Sequence, residues 1–485
     1  MNARRRWVSV VGLLLAFALV VAACGDDDAE TTVTTAAPAT TAAPTTTEAP
    51  AETTTTAAPT TTQTTEAAFE IDYDVGVTEE PCPDSSNPDN GCIYLGVISD
   101  FSGPFSAFGL PLAWGKEDFW ARVNAGGGLD GFDIALTQEN TIDAGYVAEA
   151  HVAGYQQIRT NVAALAESLG TLQTMAAIPL MIEDNMVSPV SAWYSGFSFD
   201  EFDGGLILEA GSNYCMEAMN GFDFVMQARS AIEGGIPFTY AIVGFPGDYG
   251  GDYSAGVKIA AAAYGLGDPV FEHVQLPMSV GGTLDEAVAG ILTTTPDVIF
   301  VTTGPTELAT LMGGVFGAGH QTAMYVGTGP SWHPALLGQE ALIPLLEAAY
   351  FNTAPTGGYN MDSPGHAAMR EAFEANDRGT PNLGYVAGWA MSYNLMAVLA
   401  QAIANGDLTQ AGIAAAVGQV DDVDYEGMMP NKTFVGTPNE TVARGSVVHR
   451  VDATAPDGLA IAAPHFTGPT AAAYDFVAPC LVLGG

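Results

Sequence analysis

Five cysteines and seven histidines are the residues of this 485-residue chain best suited to metal, redox or nucleophilic chemistry. The histidines, at 151, 273, 320, 333, 366, 449 and 465, are scattered, and no Cys/His spacing of a zinc site occurs. His-Glu-x-x-His, Gly-x-Ser-x-Gly and the phosphate-loop Gly-x-x-x-x-Gly-Lys are missing. Gly126-Gly127-Gly128 and Gly265-Leu266-Gly267 are incomplete as dinucleotide fingerprints and read as turns. No catalytic residue, metal or cofactor is expected, and an α/β enzyme is the least favoured function. The cysteines, at 24, 82, 92, 215 and 480, include no Cys-x-x-Cys. Setting Cys24 aside leaves four, an even number with three possible connectivities. Cys82 and Cys92 bracket the turn-forming run Pro83–Gly91 and are expected to pair; Cys215 with Cys480 follows by elimination.

Cys24 belongs to an export signal. Arg4, Arg5 and Arg6 precede an apolar run from Trp7 to Ala23, and Val21-Ala22-Ala23-Cys24-Gly25 closes it. A positive region, an apolar region and small residues before a cleavage point make a secretory signal, and this run is short for a membrane span of about 20 residues. With cysteine first in the mature chain, the signal resembles that of bacterial lipoproteins. The resemblance implies lipidation of Cys24, anchoring to the outer side of the cytoplasmic membrane, and a signal peptide over residues 1–23. An exported chain can keep disulfides. From Ala29 to Ala68 nearly every residue is Thr, Ala, Pro or Glu. Such a stretch has too little apolar surface to offset ordering entropy and is expected to be a disordered tether, reaching at most ~120 Å. Anchor, tether and the Cys82–Cys92 loop together take residues 24–91.

The remaining chain is long enough for two or three domains. The full sequence carries 55 acidic and 13 basic residues, three of the basic ones in the signal, with only 14% charged residues overall. So acidic a surface excludes nucleic acid, whose phosphates require Lys and Arg. It keeps the protein soluble.

Ile93–Ile98 reads as a buried strand, Gly109–Asn124 as a helix stopped by Gly126, Phe132–Leu136 as a second strand, and Ala144–Leu169 as a stretch that holds helix. The alternation restarts with strand Tyr240–Gly244 and helix Tyr253–Tyr264. Strand Asp297–Val301, helix Glu307–Gly317 and strand Ala323–Val326 follow. A helical stretch at Tyr385–Ala404 precedes mixed strands. This is an α/β class chain with two parallel-sheet units, its folded part beginning near Cys92.

Several of these motifs occur in an order that resembles one family. Val97–Pro104, Phe108-Gly109 and Asn124–Gly127 are similar to the opening of type I periplasmic solute-binding proteins of ABC transporters. Within that family the likeness is to the branched-chain amino-acid and amide class. Gly244–Gly250, Pro296–Val301 with Gly304 and Glu307, Gly317–Gly319 and Tyr325–Gly327 continue it. The resemblance implies two Rossmann-like lobes joined by three crossovers, with a ligand cleft between them at the carboxyl ends of the strands. Lobe 1 would comprise residues 92–213 and 354–423, lobe 2 residues 214–353 and 424–463, and a tail residues 464–485. It implies ligand contacts from the post-strand loops: 102–108, 171–174, 188–193, 211–214, 248–249, 304–306 and 327–332.

Within those loops the candidate ligand-binding residues are Ser102, Phe108, Gln173, Thr174, Ser191, Ala192, Trp193, Asn213, Tyr249, Thr306 and Trp332. Tyr249 sits on a glycine-flanked loop that displays a ring. Trp193 and Trp332 could face the cleft or pack in a core. Thr174 and Ser191 could bond a ligand or cap a helix, and Phe108 could line the cleft or staple its helix. Amino-acid binders of the family hold the ligand's ammonium with acids from a crossover and a second-lobe loop. Here those positions read Gly211-Ser212-Asn213-Tyr214 and Gly327–Trp332, without an acid. An unpaired buried ammonium costs several kcal/mol, so a small neutral, partly apolar solute is expected, with Asp248 and Glu209 the next acids to examine. The expected partners are the solute and the permease and ATPase of an ABC importer, the protein itself being a monomer. A tethered sensor working through a receptor is the alternative.

Overall fold

The computed structural model describes residues 71–233 and 238–483. Cys24, the signal and the Thr/Ala/Pro-rich tether lie outside the described residues.

Two sheets organise the chain. In the first, strands β1 (Gly91–Ser99), β2 (Phe132–Asp143), β3 (Ala164–Leu169), β4 (Ser188–Ser191) and β5 (Ile207–Leu208) run parallel in the order β2-β1-β3-β4-β5. The second sheet repeats that order with β6 (Tyr240–Gly244), β7 (Phe271–Val274), β8 (Val298–Thr302), β9 (Met324–Thr328) and β10 (Tyr350–Ala354), arranged β7-β6-β8-β9-β10. Antiparallel β11 (Ser446–Val451) and β12 (Leu459–Phe466) extend its far edge. Every residue of β3, β6, β8, β9 and β10 is buried. That explains their unbroken apolar runs, since helices cover both faces of a parallel sheet.

The helices that follow these strands are α1 (Ser106–Ala125), α2 (Ala148–Ile158), α3 (Thr171–Asp184), α4 (Tyr214–Glu233), α5 (Asp248–Ala263), α6 (Asp285–Thr294), α7 (Pro305–Gly317) and α8 (Ile343–Ala349). Beyond β10 come α9 (Pro364–Ala375), α10 (Leu383–Asn405) and α11 (Gln410–Val417), which pack back onto the first unit through α1 and β4. Asn382 caps α10 by accepting the amide of Tyr385, and Gly406 at φ 76° ends it. By length and composition α10 could cross a membrane, yet it is a core helix, largely buried. Its backbone touches α1: a Cβ on Gly388 would stand 2.0 Å from the Leu112 carbonyl oxygen, and one on Gly115 2.2 Å from that of Tyr385.

The chain passes between the sheets three times, and the passages touch one another. Gly211, at φ 75°, lies against the carbonyl of Pro355, and Ser212 pairs with Ala443 and shares a hydroxyl contact of 2.7 Å with Ser446.

The structure moves two expectations. Residues 164–169 form the central strand β3 rather than the end of a helix. The fold also starts before Cys92: Asp72-Tyr73 pairs with Asp407-Leu408, and Val77-Thr78 runs antiparallel to β1. Both expected disulfides are present, Cys82–Cys92 with a Cα separation of 4.8 Å and Cys215–Cys480 with 6.3 Å. The second pins the C-terminal tail to α4. Around it Tyr194 donates to the Leu481 carbonyl at 2.8 Å, and the Cys480 amide donates to Ser195 Oγ at 2.9 Å.

Candidate functional site

The carboxyl ends of the two parallel sheets face each other, and the loops after their strands enclose a small cavity of about 30 Å³. From the first unit come Phe105 and Phe108 after β1, Tyr146 after β2, Leu169, Gly170 and Thr171 after β3, and Ser191, Ala192 and Trp193 after β4. Tyr214 opens α4. Asp248 and Tyr249 open α5, and Pro330 follows β9.

Six aromatic rings line this space; four touch in series and two form a separate pair. Phe108 meets Trp193 edge-on at 6.1 Å, Trp193 meets Tyr214 at 6.2 Å, and Tyr214 meets Tyr249 at 5.1 Å. Phe105 and Tyr146 pair at 4.6 Å. The polar groups are few. The Tyr249 hydroxyl lies 2.6 Å from that of Thr328 and 2.9 Å from that of Ser331, and it donates to the Thr303 carbonyl at 3.2 Å. Its ring edge is therefore fixed from behind by the two loops that follow β8 and β9.

The two units are bridged at the cavity. Thr171 donates its hydroxyl to the Asp248 carboxylate. One helical turn along α5, Asp252 accepts the Ser195 amide at 2.9 Å and the Ser195 hydroxyl at 2.6 Å. Burial pushes Asp248 up to about 6, partly offset by the Thr171 hydroxyl and the amides of residues 248 and 249 at the helix start. Burial pushes Asp252 up to about 7. With both bridges made, the lobes stand closed over room for a water or two.

Of the residues singled out in the sequence, Phe108, Ser191, Ala192, Trp193 and Tyr249 line the cavity. The others stand elsewhere. Ser102 is exposed and bonds Asp143. Gln173 donates to the Tyr146 carbonyl at 2.9 Å, supporting a ring rather than lining the space. Thr174 joins Ser168 at 2.7 Å, and Ser168 joins His151 at 2.9 Å, in the interior of the first unit. Asn213 caps α4 by accepting the Met216 amide at 3.0 Å. Thr306 is exposed on α7, where its carbonyl accepts the Thr310 hydroxyl. Trp332 is buried in the second unit's own core, stacked on Tyr350 at 6.0 Å and donating to the Asp457 carbonyl at 3.1 Å.

Residue-level reading missed Phe105, Tyr146, Leu169, Gly170, Thr171, Tyr214 and Pro330. All but Tyr146, Leu169 and Gly170 lie in loops singled out as contact loops. Tyr146 carried one signal, a Gly-Tyr pair just past a strand, and its φ of 61° turns it toward the cavity. Glu209, the other acid to examine, lies outside this lining. It accepts the Ser198 hydroxyl at 2.6 Å and flanks a separate groove of about 570 Å³ with Asp203, Lys432 and Phe476.

Residues 92–456 match the family model described as periplasmic binding protein. The chain belongs to that family. Periplasmic binding proteins of this kind are exported, bind small solutes and work with ABC-transporter components, and the fold is generally non-enzymatic. Among solved structures, a fatty acid ABC transporter substrate-binding protein from Thermomonospora curvata superposes with a TM-score of 0.73 at 24% identity, over 83% of this chain and 97% of that one. A branched-chain amino acid ABC transporter protein from Thermus thermophilus with bound valine gives 0.66 at 13% identity, over 79% and 98%. An ABC transporter solute-binding protein from R. palustris in complex with benzoate gives 0.61 at 16% identity, over 78% and 99%. At these identities the likeness is one of fold. No curated protein matches the sequence.

Proposed function

We propose that this periplasmic binding protein captures one small organic solute between its lobes and hands it to the permease of an ABC importer. Residues 92–213 and 354–423 form the first lobe in this reading, and residues 214–353 and 424–463 the second. The lipid on Cys24 and the Thr/Ala/Pro-rich tether hold the pair outside the cytoplasmic membrane. One observation carries the reading: a cavity walled by aromatic rings from both lobes and closed by the Thr171–Asp248 bridge. Binding sites for small molecules combine apolar walls with a few placed polar groups. The rings fit the apolar part of a solute; Ser191, Thr171 and Asp248 fit its polar end.

A thermal-shift screen of amino acids, amides, urea-like compounds, sugars, aromatic acids and amines tests it. At least one class should raise the melting temperature of the wild type but not of Phe108→Ala. Identical responses of the two proteins to every compound would remove the cleft from function. Cys24→Ser should move the protein from the detergent phase to the aqueous phase, because stable anchoring takes two or more acyl chains.

A further inference from the structure

The walls of the cavity narrow the solute class. Its lining holds one charged residue, the acid Asp248, and no Lys or Arg. The charges that bear on its rings are also acids: Asp248 and Asp100 act on Tyr146, Asp248 on Tyr214, and Glu307 on Tyr249. Asp248 is held by a hydroxyl and by backbone amides, with no cationic partner among the described residues. Around it stand six rings, including Trp193, Tyr214 and Tyr249. The faces of such rings carry negative potential and attract cations, most strongly where water is excluded.

We infer that the solute is a monovalent organic cation, an ammonium with small alkyl or aryl substituents, which enters when the lobes part, since the closed cavity of about 30 Å³ cannot hold it; its charge then faces Asp248 and its substituents pack on the six rings. The inference rests on the solute-binding reading above and sharpens it. It replaces the neutral solute expected from sequence, because Asp248 supplies the acid that the loops at 211–214 and 327–332 lack. It also separates this cleft from carboxylate ligands such as the valine and benzoate of the superposed structures. A carboxylate here would meet a carboxylate, with no side-chain cation to offset it. The net charge of −42 works in the same direction at longer range, raising the local concentration of cations near the mouth.

The test uses the exported chain from residue 25 onward and three matched sets of probes. Choline, benzyltrimethylammonium and isopentylammonium are each compared with the neutral compound and the carboxylate of the same skeleton. Trp193 in the cleft supplies a fluorescence readout, and calorimetry supplies affinities. In at least one set the cation should bind ten-fold or more tighter than its neutral counterpart, with the carboxylate weakest. Asp248→Asn should erase that preference, bringing the cation and its neutral counterpart to similar affinities. Because Asp248 also begins α5, Phe108→Leu serves as the second variant. It keeps apolar bulk at a half-buried position and removes only a ring, so it should weaken the cation several-fold more than the neutral compound.

A neutral compound or carboxylate that binds as tightly as its cation would overturn the cation inference and leave the solute-binding reading standing. Silence of all nine probes would also overturn it, and the wider screen would then decide the solute-binding reading by itself.

Discussion

Tyr249 serves the cleft with its ring and the second lobe with its hydroxyl. Tyr249→Phe should keep the ring and lose the contacts to Thr328, Ser331 and Thr303. A buried hydrogen-bonded hydroxyl contributes about 1 kcal/mol, so denaturant melts should show that loss with solute affinity nearly unchanged. Tyr249→Ala should lose the same stability and also about 1.5–3 kcal/mol of binding, the value of a buried aromatic contact. Calorimetry on the two variants separates the roles. The comparison with Trp332 shows where residue-level reading stops. Both are aromatic residues in second-lobe post-strand loops, yet Trp332 turns inward onto Tyr350 and Asp457. Those partners are 18 and 125 positions away, and nothing local in the sequence announces them. Asn213 shows the same limit: expected at the cleft from its loop, its side chain is engaged in capping α4.

Elements were more legible than contacts. Strands β1, β6, β8 and β9 read correctly because burial on both faces leaves an uninterrupted apolar run, and the helices after them start at recognisable glycine or proline turns. Strand β2 was shortened in the sequence reading because Thr137–Asn140 is polar, whereas the strand runs on, half-exposed, to Asp143. That truncation is what hid Tyr146. Helix α5 gives a pH prediction. Asp252 has a folded value raised to about 7 against an ordinary 3.8. The folded state therefore holds that proton more tightly than the unfolded state. Its contribution is complete below about pH 4 and is lost as pH rises to about 7. Melting temperatures from pH 4 to 8 should fall less steeply with rising pH for Asp252→Asn than for the wild type; parallel curves would show that Asp252 is not the group responsible. The buried histidines His151, His366 and His449, held down to about 4 by burial, act in the opposite sense in both proteins and cancel in the comparison.

For the whole molecule, the excess of acids sets a general repulsion. With 55 acidic and 13 basic residues and few ion pairs among the described residues, the closed form gathers like charge. Salt screens such repulsion over about 10 Å at 0.1 M, so the melting temperature should climb between 0.05 and 0.5 M NaCl and then level off. A flat response would mean that the charges are too dispersed to matter. The Cys215–Cys480 link belongs to this scale too. It closes a loop with a sequence separation of 265, and the chain-entropy account gives about 5.5 kcal/mol for a loop of that size. Cys480→Ser should lower the urea midpoint accordingly.

The same link has a consequence for survival outside the cell membrane, where proteases are encountered. Every loop from residue 216 to residue 479 lies inside one covalent ring. A single cut anywhere in that stretch opens the ring but releases no fragment, since each new piece stays joined to the other through sulfur. A nicked molecule should therefore run as two bands on a reducing gel and one on a non-reducing gel, and it should still bind its solute. Damage becomes loss of the protein only after a second cut within the ring or reduction of that bond.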